Sequence, residues 1–257
     1  MRVTKLFLFL VLSTYLFAND TSSSSLTPNY TFLNLNINYF DWMDKAERDS
    51  GKGDFSYVGV EGGAGWDSVE AYGFLNIENP LNPYDEEAPD DLRFSAFGDV
   101  DVKIHNNFKL HFQNYALNSD TFYVNDFVVG VGYKFTTDFG LWFRPFVGLH
   151  HTYSTYYTGL NGYMGGWLFN YDFKLFGKKC TIFQWHEMEF ARQKEFYLDD
   201  DGNPTGDGKS WGIIGALSGW LYFTPSVAAG VQYRYAHNKL GYANYQSGVI
   251  YTLKYYF

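Results

Sequence analysis

The chain has 257 residues, 21% of them aromatic, with 23 Tyr, 25 Phe and a formal net charge of −9. An acidic chain without a basic patch is not a nucleic-acid-binding surface, and the single cysteine, Cys180, excludes an intramolecular disulfide framework. Beyond the N-terminus no run of 18 apolar residues occurs, so a transmembrane helix is excluded as well.

The opening MRVTKLFLFLVLSTYLFAND joins basic Arg2 and Lys5, an apolar run from Leu6 to Leu12 and a small Ala18. It predicts a secretory signal peptide over residues 1–18. Residues 19–29 read as a short, Ser-rich periplasmic tail, and residues 30–257 as one domain. The first strand covers about 30–41, with Leu33, Leu35, Ile37 and Tyr39 on one face and Asn34, Asn36 and Asn38 on the other. Three asparagines on one face are costly in a dry core, and a wet interior is expected around them. A charged loop leads to strands at about 54–66 and 67–78, joined by a tight turn near Trp66-Asp67. On the second of these, Val69, Ala71, Gly73, Leu75 and Ile77 face one way, and Glu70, Tyr72, Phe74, Asn76 and Glu78 the other. The polar face carries the bulky rings, the reverse of a soluble sandwich and the pattern of a barrel in lipid with a working interior.

After the loop ENPLNPYDEEAPD, strand four (about 91–104) turns Leu92, Phe94, Ala96, Val100, Val102 and Ile104 to lipid and Arg93, Ser95, Phe97, Asp99, Asp101 and Lys103 inward. Strand five (about 108–117) puts His111, Gln113 and Tyr115 inside, and strand six (about 124–135) Asp126 and Lys134. Strand seven (about 140–152) places Trp142, Arg144, Phe146 and His150 inside. Strands follow at about 162–174, 180–191, 210–223, 226–237 and 247–257. Trp185, Glu187, Glu189, Gln232, Arg234, Thr252 and Lys254 are assigned inward, since charge facing hydrocarbon is expensive. The count is twelve, with short connections after the even strands and mostly longer ones after the odd strands. The expectation is an all-β transmembrane antiparallel β-barrel in the bacterial outer membrane, short turns periplasmic and longer loops extracellular.

No enzyme motif stands out. His150-His151 with Ser154 suggests a membrane-embedded hydrolase, but alternation separates the two histidines and no acid partner is identifiable. The run DDDGNPTGDG has a calcium-loop composition, yet Pro204 stands where the pattern needs Gly and no Glu closes it. His186 beside Glu187 and Glu189 turns to the other face, so no metal site is expected.

The constellation with functional content is the inward set Glu61, Glu70, Tyr72, Phe74, Asn76, Arg93, Phe97, Asp99, Asp101, Arg144, Phe146, Arg234 and Lys254. Eight strands leave an interior filled by side chains and sixteen a wide channel. Twelve should leave a narrow slot, which aromatics and hydrogen-bonding charges suit to a flat ring carrying hydroxyls. The alternative is a closed structural or adhesive barrel acting through its extracellular loops, with the inward charges merely paired.

At Asp54-Phe55-Ser56-Tyr57-Val58-Gly59-Val60-Glu61 the chain resembles the Asp-x-x-Tyr-Leu-Glu-x-Glu strand of the Tsx/OmpK family of nucleoside-specific outer-membrane channels. Asp67-Ser68-Val69-Glu70-Ala71-Tyr72-Gly73-Phe74-Leu75-Asn76 is similar to that family's Asp-x-x-Asp-x-Tyr-Gly-Tyr-x-Asp. Asn161-Gly162-Tyr163 matches a further motif, and Tyr255-Tyr256-Phe257 looks like the closing aromatic signal of outer-membrane proteins. Gly59 and Asn76 each lose a family carboxylate, Leu160 replaces a Trp, Phe97-Gly98-Asp99 stands where the family has Pro-Arg, and a Phe-Gly-Pro turn is missing. The resemblance implies a twelve-stranded barrel passing nucleosides by diffusion, with no cofactor and outer-membrane lipid around it. In that reading Tyr72, Phe74 and Phe97 stack the base, while Glu61, Glu70, Asn76 and Arg93 meet the sugar and set the field. Some members also serve as phage or bacteriocin receptors, which the resemblance implies only for the extracellular loops.

Overall fold

The computed structural model describes residues 27–81 and 92–257. The signal peptide, most of the polar tail and the acidic stretch Asp85-Glu86-Glu87 lie outside the described residues. Twelve long strands are present: β1 (Tyr30–Trp42), β2 (Phe55–Gly65), β3 (Val69–Glu78), β4 (Arg93–His105), β5 (Phe108–Asn118), β6 (Tyr123–Tyr133), β7 (Leu141–Ser154), β8 (Thr158–Leu175), β9 (Lys178–Phe190), β10 (Trp211–Tyr222), β11 (Val227–His237) and β12 (Tyr245–Tyr256). Phe135–Thr136 carries β6 on past Lys134, still paired to β7. Two short helices, α1 (Asp44–Ser50) and α2 (Lys194–Tyr197), lie in the loops after β1 and β9.

Each strand runs antiparallel to the next, and β1 returns to pair with β12 from Asn34↔Tyr256 to Trp42↔Gly248. The sheet is closed, so no row of backbone donors and acceptors is left facing hydrocarbon, where each would cost several kcal/mol. Alternation then sorts the side chains. Leu35, Ile37, Val129, Val131, Leu149, Val231 and Leu253 point outward and are exposed, while Asn34, Asp101, His111 and Thr152 point inward and are buried. Outward rings gather towards the two ends: Phe108, Tyr133 and Phe135 in contact at one, Tyr123 with Tyr153 and Tyr163 with Phe190 at the other. These are the aromatic girdles of a membrane barrel.

The ends differ. At the turn end, Asn106-Asn107 and Phe176-Gly177 suffice to reverse the chain, with positive φ at Asn106, Phe176 and Gly177. At the loop end, the segments after β1, β3, β9 and β11 are long. The connections expected to be long after β5 and β7 are tight. Ser154 Oγ accepts the N–H groups of Tyr156 and Tyr157, and Ser119 Oγ accepts that of Phe122. These hydroxyl-capped turns let β7 run to Ser154 and β8 start at Thr158, leaving three residues where about nine were expected.

The asparagine row is not wet, as expected from sequence, but buried: Asn34, Asn36 and Asn38 are 0%, 6% and 5% exposed. They are satisfied by one another. Thr252 donates to Asn38 Oδ1 (2.6 Å), Asn38 to Asn36 Oδ1 (2.7 Å), Asn36 to Asn34 Oδ1 (3.1 Å), and Asn34 to Glu61 (3.4 Å). Such a row avoids the cost of unpaired buried amides without water.

Gly130 of β6 and Gly148 of β7 are directly paired. The strands approach so closely here that a Cβ on Gly148 would lie 2.6 Å from the Val129 carbonyl oxygen, and one on Gly130 would collide with the Val147 carbonyl. Gly130→Val is expected to lower the unfolding free energy of the refolded barrel in detergent by roughly 2 kcal/mol or more. Gly219→Val, whose Cβ would meet nothing within 4 Å, should change it little; urea titration of both variants checks the contrast.

Candidate functional site

The inward residues of β3 and β4 are in direct register: Glu70↔Asp101, Tyr72↔Asp99, Phe74↔Phe97, Asn76↔Ser95 and Glu78↔Arg93. On β2, Gly63 faces Tyr72 and Glu61 faces Phe74. Phe74 and Phe97 stack at 5.5 Å with an interplanar angle of 15°, and Tyr72 tilts against Phe97 at 5.9 Å. Tyr72 Oη donates to Glu61 Oε1 (3.1 Å), and Lys254 from β12 holds the other carboxylate oxygen. Glu61, Tyr72, Phe74, Phe97 and Lys254 are half-buried. The structure thus brings Glu61, Tyr72, Phe74 and Phe97 into one patch of inner wall, with Asn76 above it donating to Ser95 Oγ (3.2 Å). Gly59 pairs directly with Asn76, and a Cβ there would lie 2.7 Å from Asn36 Oδ1. The two lost family carboxylates therefore fall on adjacent positions, and amides fill the space.

Asp99, directly opposite Tyr72, is bound instead to Arg144. The Arg144 guanidinium, from β7, binds Asp99 through Nη2 and Asp101 through Nη1 (2.6 Å), and all three residues are buried. His111 Nδ1 meets Asp101 (2.8 Å) and its Nε2 meets Gln113 Oε1 (3.3 Å). Gln113 then donates to Glu187 of β9 at 2.7 Å. This polar bridge reaches from β4 to β7 and from β5 to β9, with Phe146 packed on His111 at 4.3 Å. A small apolar cluster of Val128, Phe146 and Met164 lies beside it. Asp99 and Arg144 have most of their hydrogen-bonding capacity committed to each other and to Asp101. At the turn end Glu70 is held by Lys109 and Lys134, beside a polar cavity of about 140 Å³ that Lys103 and Asn107 also line. At the loop end Arg93 pairs with Glu78 (3.0 Å) and covers the Phe55 ring. Arg234 lies over Trp185, 5.4 Å from the ring centre.

Four side chains important to the interior went unnoticed in the sequence. Lys109 shares the inward face of β5 with His111 and Gln113, and period two would have found it. Arg192, Lys239 and Lys52 come from loops, where no period exists. Arg192 binds Glu189 (2.7 Å) and the Asn238 carbonyl (2.8 Å). Lys239 dips into a buried cluster of Asp126, His150 and Glu189, the one group of donor atoms among the described residues compact enough for a metal ion. Its ammonium pairs with Glu189 and lies 3.8 Å from Asp126, so a tethered cation already fills the place of an ion. Asp126 is the acid that His150 lacked in the sequence. Its carboxylate (3.1 Å) and the Thr152 hydroxyl (3.2 Å) both face the same ring nitrogen, Nε2, whereas a nucleophile–base–acid relay uses both nitrogens. His186 faces outward, stacked on Trp167 at 4.3 Å with Nδ1 2.8 Å from Tyr235 Oη. In the acidic loop, the Asp199 carboxylate accepts the N–H groups of Asp201 and Asn203, which holds its pKa below the usual range.

Closed antiparallel strands, outward aliphatics, aromatic girdles and a charged interior define an outer-membrane β-barrel channel. The family model for the nucleoside-specific channel-forming protein Tsx matches residues 37–257, and the chain belongs to that family. Its fold is similar to that of the NanC porin (TM-score 0.53, 11% identity, covering 86% of this chain and 98% of that one). An outer membrane channel from Pseudomonas putida F1 gives a TM-score of 0.46 at 12% identity, over 92% of this chain and 98% of that one.

Removing Arg144 would strand two buried carboxylates. Arg144→Met is expected to destabilise the refolded barrel by about 3–5 kcal/mol, the range for breaking a buried pair. The triple variant D99N/D101N/R144M should recover more than half of that loss, because no uncompensated charge remains. Denaturant unfolding in detergent measures both.

Proposed function

We propose that this channel passes nucleosides, or similar small polar solutes carrying a flat ring, by passive diffusion. The observation that supports it best is the inner-wall patch in which Phe74 stacks on Phe97 with Tyr72 beside them and Glu61 within hydrogen-bond reach. A base edge-on to the wall finds ring faces there, and stacking of a base on an aromatic side chain is worth about 1–3 kcal/mol. The sugar hydroxyls meet Glu61 and Asn76, with Arg93 and Glu78 further towards the loop end. Interactions of this strength suit a channel, since a site must hold the solute long enough to select it and release it fast enough to conduct. Membership of the Tsx family points the same way. In this reading the buried bridge through Asp99, Arg144, His111 and Gln113 shapes the passage by filling the β4–β9 side, and the loop end faces outside the cell.

Replacing Tyr72 and Phe74 together by Ala should weaken block of single-channel current by adenosine at least about fivefold, the lower end of one lost stacking contact. The barrel should keep its strand signal in circular dichroism, because neither ring belongs to the buried bridge. Unchanged block in a folded double variant would remove these rings from the site.

A further inference from the structure

Arg234 occupies an unusual place on the inner wall. In register across five strands stand Trp185 (β9), Ala216 (β10), Arg234 (β11), Gly248 (β12) and Trp42 (β1). Ala216 and Gly248 flank Arg234, the Phe40 ring takes up the space over Gly248, and an indole bounds each end of the row. Arg93, Lys109, Arg144 and Lys254 also point inward, and each holds a carboxylate. Arg234 holds none among the described residues. Its contact is the face of Trp185, and its Nε is buried without a hydrogen-bond partner. Arg234 is half-buried, its Nε is shut off from water without a partner, and its planar fork matches a carboxylate or phosphate in two parallel hydrogen bonds.

The surroundings strengthen the positive field. Lys52 enters from the α1 loop, donating to the Leu240 carbonyl (2.8 Å) and to Gln246, with its ammonium 5.1 Å from the Trp42 ring centre. Burial, together with repulsion from Arg234 and Arg93 and against the pull of Asp207, brings the Lys52 pKa down to about 8. Arg234, Lys52 and Arg93 thus lie near one another at the loop end, where Glu78 pairs with Arg93, Asp207 attracts Lys52, and Glu189 holds the neighbouring Arg192 and Lys239.

We propose that Arg234 is the anion-reading residue of this channel, taking the carboxylate or phosphate group of a permeating solute whose planar ring rests on the aromatic inner wall. The inference rests on the solute-binding reading of that wall and adds an acidic group to the class of solute. The cation–π contact with Trp185 parks the guanidinium when the lumen is empty. The charge-assisted fork forms when the anion arrives, and the exchange keeps binding weak enough for transit.

The test uses adenosine, adenosine 5′-monophosphate and benzoate as probes of the refolded barrel. Current block in planar bilayers and titration calorimetry in detergent are read side by side, so that a signal does not depend on conductance. The expected result is that R234Q weakens binding of at least one anion tenfold or more, and by more than it weakens adenosine. R234K, which keeps the charge without the fork, should fall between. Loss for the monophosphate alone identifies a phosphate reader, and loss for benzoate alone a carboxylate reader. Wild-type protein that binds neither anion, or R234Q that binds both as wild type does, overturns the proposal. Absent adenosine binding with anion binding still dependent on Arg234 would instead overturn the nucleoside reading and leave this one standing. Since Arg234 holds no carboxylate and keeps only its contact with the Trp185 ring, R234Q should melt close to the wild type; a collapse like that expected of Arg144→Met would assign it a structural role and also overturn the proposal.

Discussion

Hydrocarbon offers the backbone no hydrogen bonds, and the rest of this structure depends on that constraint. It forces β1 and β12, at the two ends of the barrel sequence, to pair over nine residues and abolish every edge. Once the sheet is closed, a period of two assigns each side chain to lipid or lumen. The lumen is then the only place within the membrane where charge can sit, and charge placed there must be paired, hydrogen-bonded or left for a ligand. Paired acids and bases, an asparagine row and one uncommitted arginine all follow from this single closure.

The interior accordingly has two kinds of surface. One is committed: Asp99, Asp101, Arg144, His111, Gln113 and Glu187 satisfy each other across several strands and lie buried. Such a bridge stiffens one side of the barrel and takes up space that would otherwise be water. The other is less committed: Tyr72, whose hydroxyl is held by Glu61, Phe74, Phe97 and Arg234 are half-buried and show ring faces or a guanidinium without a carboxylate. A binding surface held rigid by a fully satisfied neighbour is the arrangement that positions ligand contacts most sharply.

Much of this was legible in the sequence because alternation is enforced by lipid. A residue such as Val131 or Leu253 cannot trade faces with Lys254 without placing a charge in hydrocarbon, so the register of β4, β5, β11 and β12 could be read residue by residue. The polar, ring-bearing face of β3 was legible for the same reason. Period two says which residues face inward but not which of them meet. Nothing in the order of residues linked Gln113 to Glu187 or Asp126 to His150, because those pairs depend on barrel diameter and stagger. The asparagine row was read as wet because water and a second amide satisfy the same groups. Lys52, Arg192 and Lys239 reach the interior from loops, where no repeat constrains direction. The tight turns at Ser119 and Ser154 were missed because one hydroxyl replaced several expected loop residues.

On the proposed function, the half-buried aromatic wall makes this barrel a solute-selective channel. Single-channel conductance of the refolded protein in a planar bilayer, titrated with adenosine, thymidine and glucose, tests it most directly. A selective wall gives small openings that nucleosides block saturably and glucose does not. Openings that no nucleoside blocks, or silence from a correctly folded barrel, would contradict it.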